Sequence, residues 1–392
     1  MSGPRRGRST PGAAPRPPAT ARGLALRALL DVDAGGRANV VVPALLGASC
    51  LDQRDRSFVT ELVYGTCRMQ RACDWLVDRH ARGRTDPAVR AALRLGTYQL
   101  AWTRVPRHAA VSATVAEVDG PGRSMVNAVL RRVADDVERG PIRWPDPATA
   151  LSYPDWIVAR LAADLGPGVA RAALEQMNVP ARTTGRPDGY IQDAASQMVA
   201  VHVGPAPGER ILDLCAAPGG KATALAGAGA ALVAAIDVDP GRAAVVAANA
   251  KRLELPHLAT LVADGRRTPF RTSSFDRVLV DAPCSGLGVL RRRPDARWRG
   301  RPSDLPRLAT LQRRLLDAAA PLVRPGGVLV FSVCTLTREE TAGIDRWLAS
   351  EHRELEPLPP PAAPWMLAGR GGLLLPQAAG TDGMFVLSLR RR

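Results

Sequence analysis

Lysine is nearly missing from this chain. Of 53 basic residues in 392, only Lys221 and Lys251 are lysines. Arginine-rich codon usage accounts for arginine over lysine, but not for the excess of base over acid that leaves a net charge of +16. Such a surface favours polyanions and steers them by long-range attraction. Cysteine is sparse too, with six (50, 67, 73, 215, 284, 334) scattered along the chain and no CxxC pair. That excludes a disulfide framework and points to a reducing, cytoplasmic setting without a structural metal. Apolar runs are broken by Gly, Pro or charge well short of bilayer length, so no membrane span is expected.

A chain of 392 residues can bury two cores, so two domains are the starting expectation. Residues 1–22 hold five arginines and no acid among many Pro, Gly and Ala, which reads as a disordered basic tail (1–20) grazing RNA. From 21 to about 140 the apolar spacing is helical: Leu24, Leu26, Leu29 and Leu30, then Phe58, Leu62 and Val63. Asp86-Pro87 places proline just inside a helix start, followed by Leu93, Leu95, Tyr98 and Leu100. No β-rich run interrupts, so this third reads as an all-α bundle. Residues 141–200 read as a helical connector opened by a proline-punctuated stretch.

Past Gly208 the rhythm changes. Segments 211–214, 231–236, 259–262, 278–280 and 328–331 read as strands, with helices between several of them. This alternation predicts a parallel, doubly covered α/β sheet over 201–392. A late strand near 384–389 is expected antiparallel at the sheet edge.

Chemistry gathers just past strand ends in such sheets. Cys215-Ala216-Ala217-Pro218-Gly219-Gly220-Lys221 follows the first strand and is small enough for backbone to approach a ligand closely. It is not GxGxxG, so a dinucleotide dehydrogenase is a weak candidate. Asp237 and Asp264 fall at the next two strand ends, where acids meet the hydroxyls of a ribose and an adenine amine. Cys284, in Asp281-Ala282-Pro283-Cys284, follows the fourth strand and Cys334 the fifth. Lys221 is a candidate cation to lower a thiol pKa. With no His in these motifs, a Cys-His hydrolase is disfavoured. Two thiols, an acid and a methyl-donor pocket match methylation at carbon 5 of a pyrimidine. One thiolate adds at carbon 6 to make carbon 5 nucleophilic, and a second group helps release the product.

With these motifs in view, the chain resembles the RsmB/Sun-type branch of the RNA 5-methylcytosine methyltransferases, the NSUN superfamily. The carriers are residues 215–221, 275–286 (Phe-Asp-Arg-Val-Leu-Val-Asp-Ala-Pro-Cys-Ser-Gly), 291–295 with Trp298, 332–335 (Ser-Val-Cys-Thr) and 381–385 (Thr-Asp-Gly-Met-Phe). The first third resembles a NusB-like RNA-binding domain through 61–65, 93–100 and 126–131. The resemblance implies S-adenosylmethionine as cofactor, held by the 215–221 turn, Asp237, Asp264 and Asp281. It makes Cys334 the nucleophile and Cys284 the residue that frees methylated RNA, with Lys221 and Asp281 near the base. It points to 16S rRNA as partner, for a protein expected to be a monomer. The alternatives are a ribosome-assembly factor on a degenerate methyltransferase fold, or the same chemistry on 23S rRNA or tRNA. Six arginines in 291–301, among them Arg291, Arg292, Arg293 and Arg297, with Trp298, read as an RNA-holding segment against the plainer possibility of a solvated loop. The chain departs from the family pattern where an RNA-binding subdomain usually precedes residue 190. Only 179–189 stands there, and Val333 and Ala194 replace the usual Thr and acid.

Overall fold

The computed structural model describes residues 20–81, 83 and 85–392, so the expected basic tail lies outside the described residues except at Thr20. The chain divides into two compact units, with the break between Pro145 and Asp146. No helix among the described residues is long and apolar enough to cross a membrane.

The first unit is helical, built from Ala21–Asp33, Ala38–Gly47, Gln53–Arg68, Gln70–Asp78, Pro87–Trp102, Arg107–Ala116 and Gly122–Glu138. Its helix starts are written locally. Asp52 Oδ1 accepts the amide of Asp55, and Asp86 accepts that of Ala88 just after Pro87 fixes φ for the first turn. Leu24, Leu29, Leu62, Val63, Leu93, Leu95, Tyr98 and Leu100 all reach its core, as their spacing predicts. Close packing demands glycine in two places. A Cβ at Gly65 would lie 2.0 Å from the Tyr98 ring, and one at Gly96 would lie 2.4 Å from Leu130.

The second unit carries a nine-stranded sheet. Its strands are β1 (Arg210–Asp213), β2 (Leu232–Asp237), β3 (Leu258–Val262), β4 (Phe275–Asp281), β5 (Val323–Val333), β6 (Leu355–Pro357), β7 (Met366–Ala368), β8 (Gly371–Leu374) and β9 (Met384–Arg391). The order is β3-β2-β1-β4-β5-β9-β8-β7, with β6 also on β9. Strands β1 to β5 pair in parallel and β9 runs antiparallel to β5. Alternate residues serve opposite faces. Val278, Val280, Leu329 and Phe331 enter one apolar layer, while Leu279, Val328 and Val330 enter the other.

Two expectations need correction. The late strand β9 is antiparallel but interior, because β8 and β6 pair along its far side. Residues 146–178 are no free-standing connector: Tyr153, Ile157, Leu161, Ala170, Leu174 and Met177 are buried in the core of the sheet unit.

Replacing Gly65 by Ala forces the Tyr98 ring or its helix aside, so urea denaturation of the intact chain is expected to show a loss of about 1–3 kcal/mol. An unchanged midpoint would mean that the ring moves away without strain.

Candidate active site

The strand order reverses between β1 and β4, each of which leads outward from the other, so the crevice beyond their carboxyl ends is the natural ligand site. The 215–221 turn leaves β1 there, and the Asp281–Cys284 segment leaves β4.

The turn is fixed by its carbonyls. Arg242 Nη2 donates to Ala217 O at 2.9 Å, Asn249 Nδ2 to Pro218 O at 3.0 Å, and Thr223 Oγ1 to Gly219 O at 2.7 Å. Arg186 donates to Gly220 O at 2.5 Å and to Thr223 Oγ1 at 3.0 Å while its guanidinium stacks on Tyr190. Gly219 has φ +103°, and a Cβ there would press on Val246 at 3.3 Å, so both conformation and packing require glycine. Asp237 ends β2, buried, and accepts the amide of Asp239. Asp264 lies just past β3, but Arg266 chelates both its oxygens and holds its carboxyl down at about 2.

Lys221 and Asp281 form an ion pair at 2.6 Å, and Ser332 Oγ donates to the other Asp281 oxygen at 2.7 Å. Burial opposes the charge on Lys221, yet Asp281 outweighs it and raises the lysine above its ordinary value. Asp213, which ends β1, is 1% exposed with neither oxygen hydrogen-bonded, and burial pushes it up to about 7, with Asp281 adding to the shift.

The Cys284 and Cys334 sulfurs lie 3.3 Å apart. The hydrogen bond from Cys284 lowers the Cys334 thiol, with Lys221 and Arg293 also lowering it against burial and Asp281. The same bond, burial, the Cys334 charge and Glu340 all raise Cys284. The two thiols are thus shifted in opposite directions by their shared contact. Lys221 contributes to this split, but Cys284 is the leading cause.

Spacing in the sequence gave no sign of what holds the sulfurs together. Glu340 is fully buried, and its carboxylate accepts from Ser285 N (2.9 Å), Gln312 Nε2 (3.0 Å), Thr337 Oγ1 (2.9 Å) and Thr335 Oγ1 (3.3 Å). Ser285 and Thr335 share a hydroxyl contact at 2.7 Å, and Gln312 also donates to Pro283 O. The neighbours of both cysteines therefore converge on one carboxylate. Gly383 completes the join: its amide donates to Gly288 O, while the Gly288 amide donates to Cys334 O.

The 16S rRNA methyltransferase RsmB/F family matches residues 200–390, and the NusB family matches residues 19–135. The small subunit rRNA methyltransferase B of Thermus thermophilus is 38% identical to this chain, covering 95% of it and 98% of its own length. The chain belongs to the RsmB/F methyltransferase family. A Mycobacterium tuberculosis protein described as a methyltransferase is 39% identical over 450 aligned positions, covering 96% of this chain and 97% of its own. Those positions outnumber the 392 residues here, so that relative has segments without a counterpart in this chain. The crystal structure of PH0851 shares the fold at TM-score 0.76 and 21% identity, covering 95% of this chain and 99% of that one.

Within this RsmB/F-family enzyme, the expected RNA-holding segment is largely turned inward. Arg297 is fully buried, 3.8 Å over the Tyr153 ring, and donates to Ser152 O, Asn178 Oδ1 and Leu290 O. Arg291 is 4% exposed and donates to Gly380 O and Pro180 O. Arg292 pairs with Asp193 at 2.5 Å and with Asp382 at 3.1 Å, and donates to Arg182 O. Arg291 and Arg292 thus strap the short 179–193 stretch to the sheet unit, and Arg297 anchors the 146–178 helices. Burial excludes Arg291 and Arg297 from contact with a nucleic acid. Trp298 is half-buried; Arg293 is exposed and within electrostatic reach of Cys334.

Two outcomes follow from this geometry. Cys284→Ala removes the bond that lowers Cys334, so the pH midpoint for alkylating Cys334 is expected to move upward; an unmoved midpoint would assign the lowering to Lys221 and Arg293. Arg297→Met leaves two buried carbonyls and the half-buried Asn178 amide oxygen without their donor, and a stability loss of about 2–4 kcal/mol is expected on chemical denaturation. A neutral effect would count against the anchoring role.

Proposed function

We propose that this protein transfers the methyl group of S-adenosylmethionine to carbon 5 of a cytosine in 16S rRNA through a covalent adduct with Cys334. The observation that carries this reading is the pair of sulfurs 3.3 Å apart with oppositely shifted acidities.

The residues present suit the donor. The turn carbonyls are tied back, Asp237 gives one oxygen to a backbone amide and has the other 3.5 Å from Arg242, and the open side chains of Val238 (65% exposed) and Val262 (56%) offer apolar cover at the ends of β2 and β3. When bound, S-adenosylmethionine supplies an electrophilic methyl on a sulfonium. Residues 215–221, Asp237 and Asp281 would hold it, with Asp264 joining only by sharing its carboxylate with Arg266.

The Cys334 thiolate adds to carbon 6 of the cytosine, and the electron pair of the 5,6 double bond becomes available at carbon 5. Lys221 and Asp281, locked as a pair, orient the base, and Arg293 is placed to meet a phosphate. A donor held by residues 215–221, Asp237 and Asp281 would supply its methyl to carbon 5 and be left as a neutral thioether. Loss of the carbon-5 proton then restores the double bond and expels Cys334 as thiolate. Here the coupling of the thiols has a use. Bonding to carbon 6 takes the charge from Cys334, so two causes that keep Cys284 protonated disappear while the adduct lasts. Cys284 is then more readily a base, at the stage that needs one.

RNA containing 5-fluorocytosine, incubated with the protein and S-adenosylmethionine, is expected to give a denaturation-resistant adduct that vanishes in Cys334→Ala. On ordinary RNA, Cys284→Ala is expected to accumulate adduct and lose about 10²–10⁴-fold in turnover. No adduct with any RNA sinks the enzymatic reading. Adduct on 23S rRNA or tRNA in place of 16S rRNA changes the substrate alone.

A further inference from the structure

The arginines that the sequence offered for RNA are mostly spent on internal anchoring, yet the sheet unit keeps a basic surface elsewhere. A groove of about 640 Å³ opens beside the turn that follows Cys334 in sequence. Its walls are the helices Asp155–Leu165, Asp304–Ala319 and Ala342–Glu351, which contribute Arg160, Arg313 and Arg346; its floor is the turn bearing Arg338 and Glu339.

The charges do not cancel. Two carboxylates face four guanidiniums, and both are engaged by the same one: Arg160 lies 2.7 Å from Asp164 and 3.3 Å from Glu339. Asp164 also accepts the Arg338 amide at 2.9 Å and gives its main-chain carbonyl to the Arg338 side chain, which fixes the floor against the wall. Arg313 and Arg346 are exposed and meet no carboxylate among the described residues. They stand on different helices, facing one groove. Trp347 is not a platform for bases, because the Arg313 guanidinium lies 5.8 Å over its ring and the His352 ring packs edge-on at 5.4 Å. The groove therefore suits phosphates rather than base edges.

We propose that this groove binds the sugar–phosphate backbone of the RNA beside the target cytosine, through Arg313 and Arg346 with Arg338. The inference rests on the reading of the protein as an RNA methyltransferase and deepens it by naming where the strand lies. RNA is favoured over an acidic protein because guanidiniums on separate helices match a repeating anion, and the remaining ring is already covered. Position supports the assignment as well. Arg338 follows Cys334 by four residues, and Glu339 in the groove adjoins Glu340, whose carboxylate holds both cysteine loops. A strand seated here lies against the outer side of the turn whose inner side sets the nucleophile.

The test measures binding of a 16S rRNA fragment to the full chain over a range of salt concentrations, for wild type, Arg313→Gln/Arg346→Gln and Arg313→Glu/Arg346→Glu, with thermal unfolding to confirm an unaltered fold. Each lost single-strand phosphate contact lowers the slope of log K against log salt by about 0.7, so the neutral double variant is expected to lose about 1.4 and bind at least tenfold more weakly near physiological salt. Charge reversal should weaken binding further. With 5-fluorocytosine RNA at saturating concentration, adduct formation should match wild type, because neither arginine touches the reacting atoms. Unchanged affinity and slope would overturn the inference, as would a weaker affinity with the wild-type slope; an acidic protein as the true occupant gives the first of these. Failure of the enzymatic reading looks different: wild type would bind RNA with its full slope and form no adduct.

Discussion

One buried carboxylate sets the geometry on which the chemistry depends. Glu340 is excluded from water, and a charge so placed is tolerated only when donors surround it. It finds four, from Ser285, Gln312, Thr335 and Thr337, which belong to three segments distant in sequence. Satisfying that one group therefore forces the loop after β4 and the loop after β5 into register. The 3.3 Å between the sulfurs is the result. The same carboxylate adds a smaller push to the Cys334 contact and the burial that raise the Cys284 thiol.

The crevice around it works by pairing charges rather than by isolating them. Lys221 is the one lysine in the site of an arginine-rich protein, and its compact ammonium fits where a planar guanidinium would demand a broader set of acceptors. Bonded to Asp281, it stays charged in spite of burial. Asp213 behaves oppositely. Burial, with the Asp281 charge beside it, outweighs the Lys221 charge and the Cys215 amide and pushes its carboxyl up to about 7. The site thus holds a fixed ion pair next to a group of adjustable charge.

The sheet was legible because β2, β4 and β5 each carry a short apolar run (Leu232–Ile236, Val278–Val280 and Val328–Phe331) that a doubly covered strand buries, and because small residues and acids follow the strands in the right places. Segment 259–262 pointed to β3, and 278–280 to β4. Strands β6 to β8 were not legible: Leu355–Pro357, Met366–Ala368 and Gly371–Leu374 are three or four residues long and set among prolines and glycines, and they are held as strands by pairing, β6 and β8 on β9 and β7 on β8, rather than by their own pattern. The two cysteines, the 215–221 turn and Asp281 could be placed from spacing along strand ends, but the pairing of Lys221 with Asp281 could not. Glu340 could not, because a glutamate in Arg338-Glu339-Glu340 looks like any solvated charge until the fold turns it inward. Arg186 escaped for the same reason, its target carbonyl lying 34 residues away.

Arginine shows why composition misleads about surfaces. A guanidinium carries five donors in a plane, so it can bridge several carbonyls at once and close gaps that a lysine would leave. Arg297 does this against Tyr153, Arg291 at Pro180 and Arg186 behind the 215–221 turn. Net positive charge measures how many guanidiniums there are, not how many remain to meet a polyanion. What decides that is the supply of partners nearby: where main-chain carbonyls and buried acids converge, arginine becomes structure, and where two helices present it to solvent without them, its charge is left for an anion from outside.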